Sequence, residues 1–211
     1  MSHLVLLGDS IFDNGSYVPG QPPVIEQLKG SLPADWSASL LAVDGDVVAD
    51  VARQLKRLPK DATHLAISAG GNDALGASYI LSQPARSAME VLAGLSTIQD
   101  EFREKYRGML KTALSHRLPT IVCTIYDAIP GLEREAVCAL GLFNEVILRE
   151  AILAGLPVLD LRVLCDQASD YSARSPIEPS ALGGAKIAAS LAQIATTHRF
   201  AERHTIIYGM R

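Results

Sequence analysis

The sequence is poor in cysteine and carries no excess of basic charge. Its three cysteines, Cys123, Cys138 and Cys165, lie far apart without the spacing of metal ligands. We therefore expect reduced thiols and neither disulfides nor a zinc site. The 19 lysines and arginines are balanced by 23 acidic residues, and no basic stripe is visible. This balance excludes nucleic acid as an expected partner, because binding to phosphates needs clustered positive charge.

Long apolar runs are also missing. The first such run, at residues 4–7, covers only four residues, and it lacks the basic start of a signal peptide. No segment of the sequence has the length and apolar character of a membrane span. We therefore expect a cytoplasmic protein without a membrane partner. With 48% hydrophobic residues among 211, the chain can still bury one large core, which predicts a single domain over 1–211 with a tail at 199–211.

Short apolar runs alternate with helical patterns along the chain. The runs lie at 3–7, 40–43, 64–68, 120–125 and 157–161. Candidate helices lie at 22–29, 46–57, 85–115, 132–154 and 181–197, with Ser180 capping the last one. The alternation predicts a three-layer α/β/α fold around a doubly wound parallel sheet of about five strands.

Two segments of this pattern carry additional expectations. Gly94 and its flanking residues are expected to break the stretch 83–116 into two helices, since glycine is a poor helix former. The apolar run 205–208 is expected to be an added strand, a packing tail or a contact in a homodimer.

The first predicted strand leads directly into Gly8, Asp9 and Ser10. In a doubly wound sheet, ligands bind at the carboxyl ends of the strands, so this turn places a hydroxyl where a nucleophile would stand. The N–H of Ser10 would also lie close to an oxyanion formed by attack of its own hydroxyl. For the tripeptide alone, an ordinary turn is the better interpretation.

The next two predicted strands end in polar and glycine residues as well. Asp44 and Gly45 follow the second strand, where the N–H of Gly45 would be a hydrogen-bond donor. Gly70, Asn72 and Asp73 follow the third. Glycine lets the backbone approach a ligand, and the asparagine amide is a neutral donor that can point at a developing negative charge.

These residues, taken in order, resemble the SGNH hydrolases, the GDSL-type esterases and lipases. The stretch from Ser175 into the helix after Ser180 looks like the last sequence block of that family. The resemblance implies the flavodoxin-like SGNH hydrolase fold and a small acyl ester as substrate, with no cofactor. It implies Ser10 as the nucleophile, with Gly45 and Asn72 as oxyanion donors.

The last block departs from the family's pattern. The family has an aspartate and, three residues later, a histidine base, whereas Ser175 and Glu178 stand at these positions here. Four of the five histidines are predicted at strand starts or helix ends, away from the carboxyl ends of the strands, and only His204 has no predicted placement.

Glu178 is the candidate that would replace the histidine, since a carboxylate within reach of a hydroxyl can accept its proton. The start of the last helix and Ser175 would lower its pKa, whereas Asp9, Asp13 and Asp73 would raise it. The sequence leaves the sign of the pKa shift open.

Three hypotheses of function follow. The first is hydrolysis of a small carboxylic ester through Ser10, with Glu178 as an atypical base. The alternative is an inactive pseudo-hydrolase that keeps the crevice as a ligand-binding or protein-binding module. The last is metal-assisted phosphoester hydrolysis by a set of four aspartates, for which no phosphate-binding Gly-Lys-Ser/Thr loop is present. These aspartates are Asp9, Asp73, Asp127 and Asp160.

Overall fold

The computed structural model describes residues 1–209, which form a six-stranded parallel sheet in the order β2-β1-β3-β4-β5-β6. The strands are β1 (Ser2–Gly8), β2 (Trp36–Leu40), β3 (His64–Ser68), β4 (Thr120–Cys123), β5 (Val158–Leu159) and β6 (Ile207–Tyr208). The α-helices are α1 (Val24–Ser31), α2 (Val51–Leu55), α3 (Gly71–Ala77), α4 (Ala88–Ser115), α5 (Arg134–Ala154), α6 (Leu161–Leu164) and α7 (Ala181–Thr197). None of the helices in 1–209 combines the length and apolar character that crossing a bilayer requires.

Helices cover both faces of the sheet, and this explains the continuous apolar run in β1. Leu4 and Leu6 pack in one core with α1 and α7, while Val5 and Leu7 pack in a second core with α4 and α5. A parallel strand buried on both faces is apolar at every position. The predicted three-layer α/β/α fold is therefore confirmed.

The strand order reverses between β1 and β3, because the chain first adds β2 on one side of β1 and then β3 on the other. In doubly wound sheets, the crevice at such a reversal is the usual ligand site. Ser10 follows β1, and Asn72 follows β3. The topology therefore brings the two residues to the same crevice.

The second strand was predicted four residues too late. β2 spans Trp36–Leu40, whereas residues 41–43 lie beyond it. This apolar segment still bonds to β1, since Leu41 and Ala42 donate to the carbonyl of Leu6 and Val43 donates to that of Gly8. Residues 41–43 thus resemble a strand in sequence because they continue along β1 and bond to it after β2 has ended.

The helix predictions were wrong in two places. Gly94 does not break α4, which runs through it for 28 residues. A methyl group at Gly94 would lie 2.8 Å from Cδ1 of Ile80, so the glycine serves close packing. The predicted helix at 46–57 is a 3-10 turn at Val48–Asp50 followed by the short α2. A 3-10 helix at Ser78–Ser82, after α3, had no sequence prediction.

The run at 205–208 contains an added strand, which makes six strands in place of about five. β6 pairs in parallel with β5, with Val158 opposite Ile207 and Leu159 opposite Tyr208. Nδ1 of His198 lies 2.9 Å from the Tyr208 hydroxyl and ties the strand to the end of α7.

Candidate active site

Ser10 stands in a tight turn after β1. Gly8 has a φ of +125°, and a methyl group there would lie 1.7 Å from the carbonyl oxygen of Ser68, so the turn requires glycine. The N–H of Asp9 donates to that carbonyl, and Oδ1 of Asp9 accepts from the N–H of Ile11. These contacts fix Ser10, which is 8% exposed, between the ends of β1 and β3.

A buried glutamine that the sequence analysis missed holds the same turn. Gln54 donates from Nε2 to the carbonyl of Gly8 at 2.7 Å, and its Oε1 accepts from the N–H of Gly8 at 2.8 Å. Nε2 also donates to a carboxylate oxygen of Asp46 at 2.8 Å. The carbonyl of Asp46 in turn accepts from Nδ2 of Asn72 at 2.9 Å. One chain of hydrogen bonds thus connects the turn before Ser10 to the amide of Asn72.

Each of the three predicted oxyanion donors has an N–H hydrogen without an acceptor among residues 1–209. The N–H groups of Ser10 and Gly45 have no acceptor there, and Asn72 uses only one of its two amide hydrogens. Ser10 and Asn72 line one cleft. Gly45 lies in an exposed turn with a φ of +82°, and it is not part of the cleft lining. Asp46, the next residue after Gly45, accepts from the Asn72 amide through its carbonyl.

Gly70 and Asp73 have packing and positioning contacts. Gly70 has a φ of +124°, and a methyl group there would lie 2.9 Å from the ring of Phe102 on α4. Asp73 accepts from the N–H of Val48 at 2.9 Å, and burial raises its pKa. Gly70 therefore lets the segment after β3 pack closely on α4, and Asp73 ties that segment to the loop after β2. Asn72 lies between these two residues in the sequence.

Glu178 is buried in the loop that precedes α7, with 4% of its surface exposed. The carbonyls on either side of it are held by other segments. Ile177 accepts from the Tyr126 hydroxyl at 2.6 Å, and Pro179 accepts from Nδ2 of Asn14 at 3.1 Å. Tyr126 follows β4, and Asn14 follows β1. Neither was predicted to position Glu178.

The Glu178 carboxyl is near enough to Ser10 for the serine hydroxyl to affect its pKa, but the two side chains share no hydrogen bond of standard length among residues 1–209. Burial raises the pKa of Glu178, and so does the charge of Asp44, while the hydroxyls of Ser175 and Ser10 lower it. The net direction, which the sequence left open, is upward. Oε2 of Glu178 is buried and has no hydrogen-bond partner among residues 1–209. The carboxyl thus keeps an unused acceptor atom in the buried loop before α7.

Asp9 is a second perturbed carboxyl at the cleft. Burial, with the charges of Asp73 and Asp44, raises the pKa of Asp9 to about 7. Near neutral pH, this side chain is therefore partly protonated. The carboxyl cluster around Ser10 carries less negative charge than its composition indicates.

The histidines lie at the opposite, amino-terminal edge of the sheet. His3 and His64 stand at the starts of β1 and β3, and His116 follows α4 just before β4. His198 follows α7, and its ring is 5.8 Å from that of His204, which precedes β6. Hence none of the five histidines, all within residues 1–209, lines the cleft beside Ser10. His204, whose placement was open, is not its base.

The four aspartates of the metal hypothesis do not form one site. Asp160 accepts two hydrogen bonds from the Arg162 guanidinium, at 2.8 and 2.6 Å, and one from Thr124 at 2.8 Å. Asp73 accepts from Val48. In the described part of the chain, no three His, Cys, Asp or Glu side chains are grouped as metal ligands.

A comparison with family models decides the assignment. The model of the GDSL-like lipase/acylhydrolase family matches residues 6–186. The chain belongs to this family. A comparison with curated proteins found no match.

Solved structures with the same fold are named for different activities. The lipase Lip_vut3 from a goat rumen metagenome is 18% identical, with 95% of this chain and 100% of that one covered at a TM-score of 0.73. Phospholipase A1 from Streptomyces albidoflavus NA297 is 19% identical, with 91% and 98% covered at 0.64. The acetyl xylan esterase AlAXEase is 14% identical, with 90% and 98% covered at 0.67. At these identities, the likeness shows the fold and does not select a substrate.

Proposed function

We propose that this GDSL-family protein hydrolyses carboxylic esters through Ser10, with Glu178 as the proton acceptor in place of the family's histidine. The observation that carries the proposal is the buried Glu178 carboxyl near Ser10, with a raised pKa and an unpartnered oxygen. A glutamate has a reference pKa about two units below that of histidine, so its upward shift brings it closer to the range of an effective base.

In this mechanism, ionised Glu178 takes the proton of Ser10 as Oγ attacks the ester carbonyl carbon. The oxyanion then accepts hydrogen bonds from the Ser10 N–H and the free amide hydrogen of Asn72. Protonated Glu178 gives its proton to the leaving alcohol oxygen, and an acyl-serine remains. A water molecule, deprotonated by Glu178, attacks this acyl group, and return of the proton to Oγ releases the acid.

The hydrogen-bond chain through Gln54 and Asp46 supports this arrangement. It ties the turn that carries the nucleophile to the amide of Asn72. Oxyanion donors act by being fixed before the charge develops, and loss of one such donor typically costs roughly 10² to 10³ in kcat.

The test compares Ser10→Ala, Glu178→Gln and wild type on p-nitrophenyl butyrate. We expect no turnover above background for Ser10→Ala, and a loss of at least about 10³-fold for Glu178→Gln, because removal of a triad base leaves only residual catalysis. As a matched control, Glu26→Gln makes the same change in the first turn of α1, outside the cleft, and should leave kcat/KM unchanged. Equal turnover by wild type and Ser10→Ala would falsify the proposal.

One observation favours a second candidate, an inactive pseudo-hydrolase that binds a ligand. Both members of the family's acid and base pair are replaced, and every histidine lies away from the cleft. This candidate predicts that the protein binds a ligand without turnover, and that Glu178→Gln leaves the binding affinity unchanged.

A further inference from the structure

The cleft beside Ser10 continues into an apolar space bounded by α4 and α5. Polar residues, among them Asp9, Ser10 and Asn72, line the part formed by the ends of β1 and β3. Aliphatic and aromatic side chains line the remainder, including Ile98 from α4 and Phe143 from α5. Asp9 is the only ionisable carboxyl or base in the lining among residues 1–209. An extended apolar wall next to a nucleophile favours a hydrocarbon group on the substrate.

Part of this apolar wall is open to water. Leu75 and Leu81, which line the cleft, are 49% and 47% exposed. Exposed leucines at the rim of an apolar cleft gain free energy when another apolar group covers them. The rim is therefore suited to contact with an alkyl chain.

The wall is built by close packing against α4. Ile80, in the 3-10 helix Ser78–Ser82, lines the cleft and reaches the surface of α4 at Gly94. A side chain at Gly94 would require the end of the Ile80 side chain to move, since a methyl group there would lie 2.8 Å from Cδ1 of Ile80. Glycine in the middle of a helix is unfavourable, and here it leaves room for the end of the Ile80 side chain.

The volume of the cleft indicates how long an acyl chain it can cover. It measures about 140 Å³. In another protein, an apolar cavity of about 150 Å³ binds one benzene molecule, which has six carbons. A chain of about six carbons therefore fills this cleft, whereas an acetyl group leaves most of it empty.

We propose that this cleft binds the acyl chain of the substrate, an ester of an unbranched fatty acid of about six carbons. The inference rests on the proposed function, since it names the substrate class of the same site. Burial of one methylene is worth about 0.8 kcal/mol, or roughly fourfold in an equilibrium constant. Because the cleft is partly open, we expect a smaller gain per carbon.

The first test measures kcat/KM for p-nitrophenyl acetate, butyrate and hexanoate. We expect hexanoate to exceed acetate by at least tenfold. Ala139→Phe fills the cleft from α5, and it should lower kcat/KM for hexanoate at least tenfold while changing that for acetate less than threefold. The matched control is Ala189→Phe on the exposed face of α7, in the other helix layer, which should change neither value.

A second variant covers the case in which Ala139→Phe does not fold. Leu81→Ser removes an apolar group from the exposed rim, where the fold tolerates a polar residue. It should reduce the preference for hexanoate over acetate at least threefold. Equal kcat/KM for acetate and hexanoate in wild type would overturn the acyl-chain inference and leave the proposed ester hydrolysis intact.

Binding by an inactive variant separates the two proposals. Calorimetric titration of Ser10→Ala with the neutral amides hexanamide and acetamide should show at least tenfold tighter binding of hexanamide, and Ala139→Phe should abolish the difference. If that preference appears without any ester hydrolysis by wild type, the cleft assignment stands and the proposed function fails. If the amides bind alike, the cleft assignment fails.

Discussion

The Tyr126 hydroxyl donates a 2.6 Å hydrogen bond to the carbonyl of Ile177, directly before Glu178. Tyr126 is almost fully buried after β4, so the bond anchors the Glu178 loop to the centre of the sheet. The position of Glu178 relative to Ser10 therefore depends on a residue from a different strand end.

We expect Tyr126→Phe to lower kcat roughly tenfold, because the anchor of the proposed base is lost and misplacement of reacting groups is costly. The free energy of unfolding should fall by about 1 kcal/mol, the usual value of one such bond. Esterase kinetics and urea denaturation measure the two effects.

Tyr171→Phe is the matched control. The buried Tyr171 hydroxyl also donates to a carbonyl, that of Cys165, at 2.8 Å. Loss of this bond should lower the free energy of unfolding about as much as Tyr126→Phe does, but it should not lower kcat tenfold. Equal kcat losses in both variants would mean that the effect is general loosening and not the position of Glu178.

The pH dependence of kcat/KM tests Glu178 as the base. Only the ionised carboxylate accepts a proton, so activity should fall as the pH drops through the pKa of Glu178. Because burial raises this pKa, we expect the acid limb above the ordinary value of 4.5. Ser175→Ala removes a hydroxyl that lowers the pKa, so its limb should move to higher pH. An unchanged limb in Ser175→Ala would contradict the assignment.

The sequence predicted the parts of the fold that local patterns determine. The buried run of β1 and the turn at Gly8 to Ser10 were located because a strand covered on both faces is apolar throughout. The second strand was misplaced because 41–43 is equally apolar and bonds to β1 outside the ladder. Gly94 was misread because its close packing on Ile80 involves a segment that had no predicted element.

The supports of the site left no signal in the sequence. Gln54 bonds to Gly8 across 46 residues, and Asn14 bonds to Pro179 across 165. Such contacts have no period or spacing that sequence reasoning could detect. Ser10, Asn72 and Glu178 could be predicted as site residues because strand ends and a family pattern mark them. The direction of the Glu178 pKa shift needed its burial to be known.

Asp9 should make the fold less stable at alkaline pH. Its pKa in the fold is about 7, above the value of 3.8 that applies without burial. For a raised pKa, the stabilising contribution is complete at low pH and is lost as the pH rises through about 7. Three pKa units at 1.36 kcal/mol each give an upper limit on the order of 4 kcal/mol. We expect Asp9→Asn to reduce the fall in unfolding free energy between pH 5 and pH 8, measured by urea denaturation. The same fall in both proteins would rule out Asp9 as its source.

Restoring the family's pair at the positions of Ser175 and Glu178 gives the sharpest test of the replaced base. The double variant Ser175→Asp/Glu178→His places a histidine at the position of the Glu178 carboxyl, near Ser10, and an aspartate three residues earlier to orient it. The reference pKa of histidine is about 6.5, so the acid limb of kcat/KM should move to near that value. If Glu178 is the base in the wild type, this variant keeps ester hydrolysis and changes its pH profile.

The single variant Glu178→His, with no orienting carboxylate, should be less active than the double variant, because such a carboxylate holds the imidazole in the productive tautomer. If the double variant hydrolyses p-nitrophenyl butyrate at least a hundredfold faster than an inactive wild type, Glu178 is not a competent base. The protein would then be a pseudo-hydrolase whose oxyanion donors are still functional.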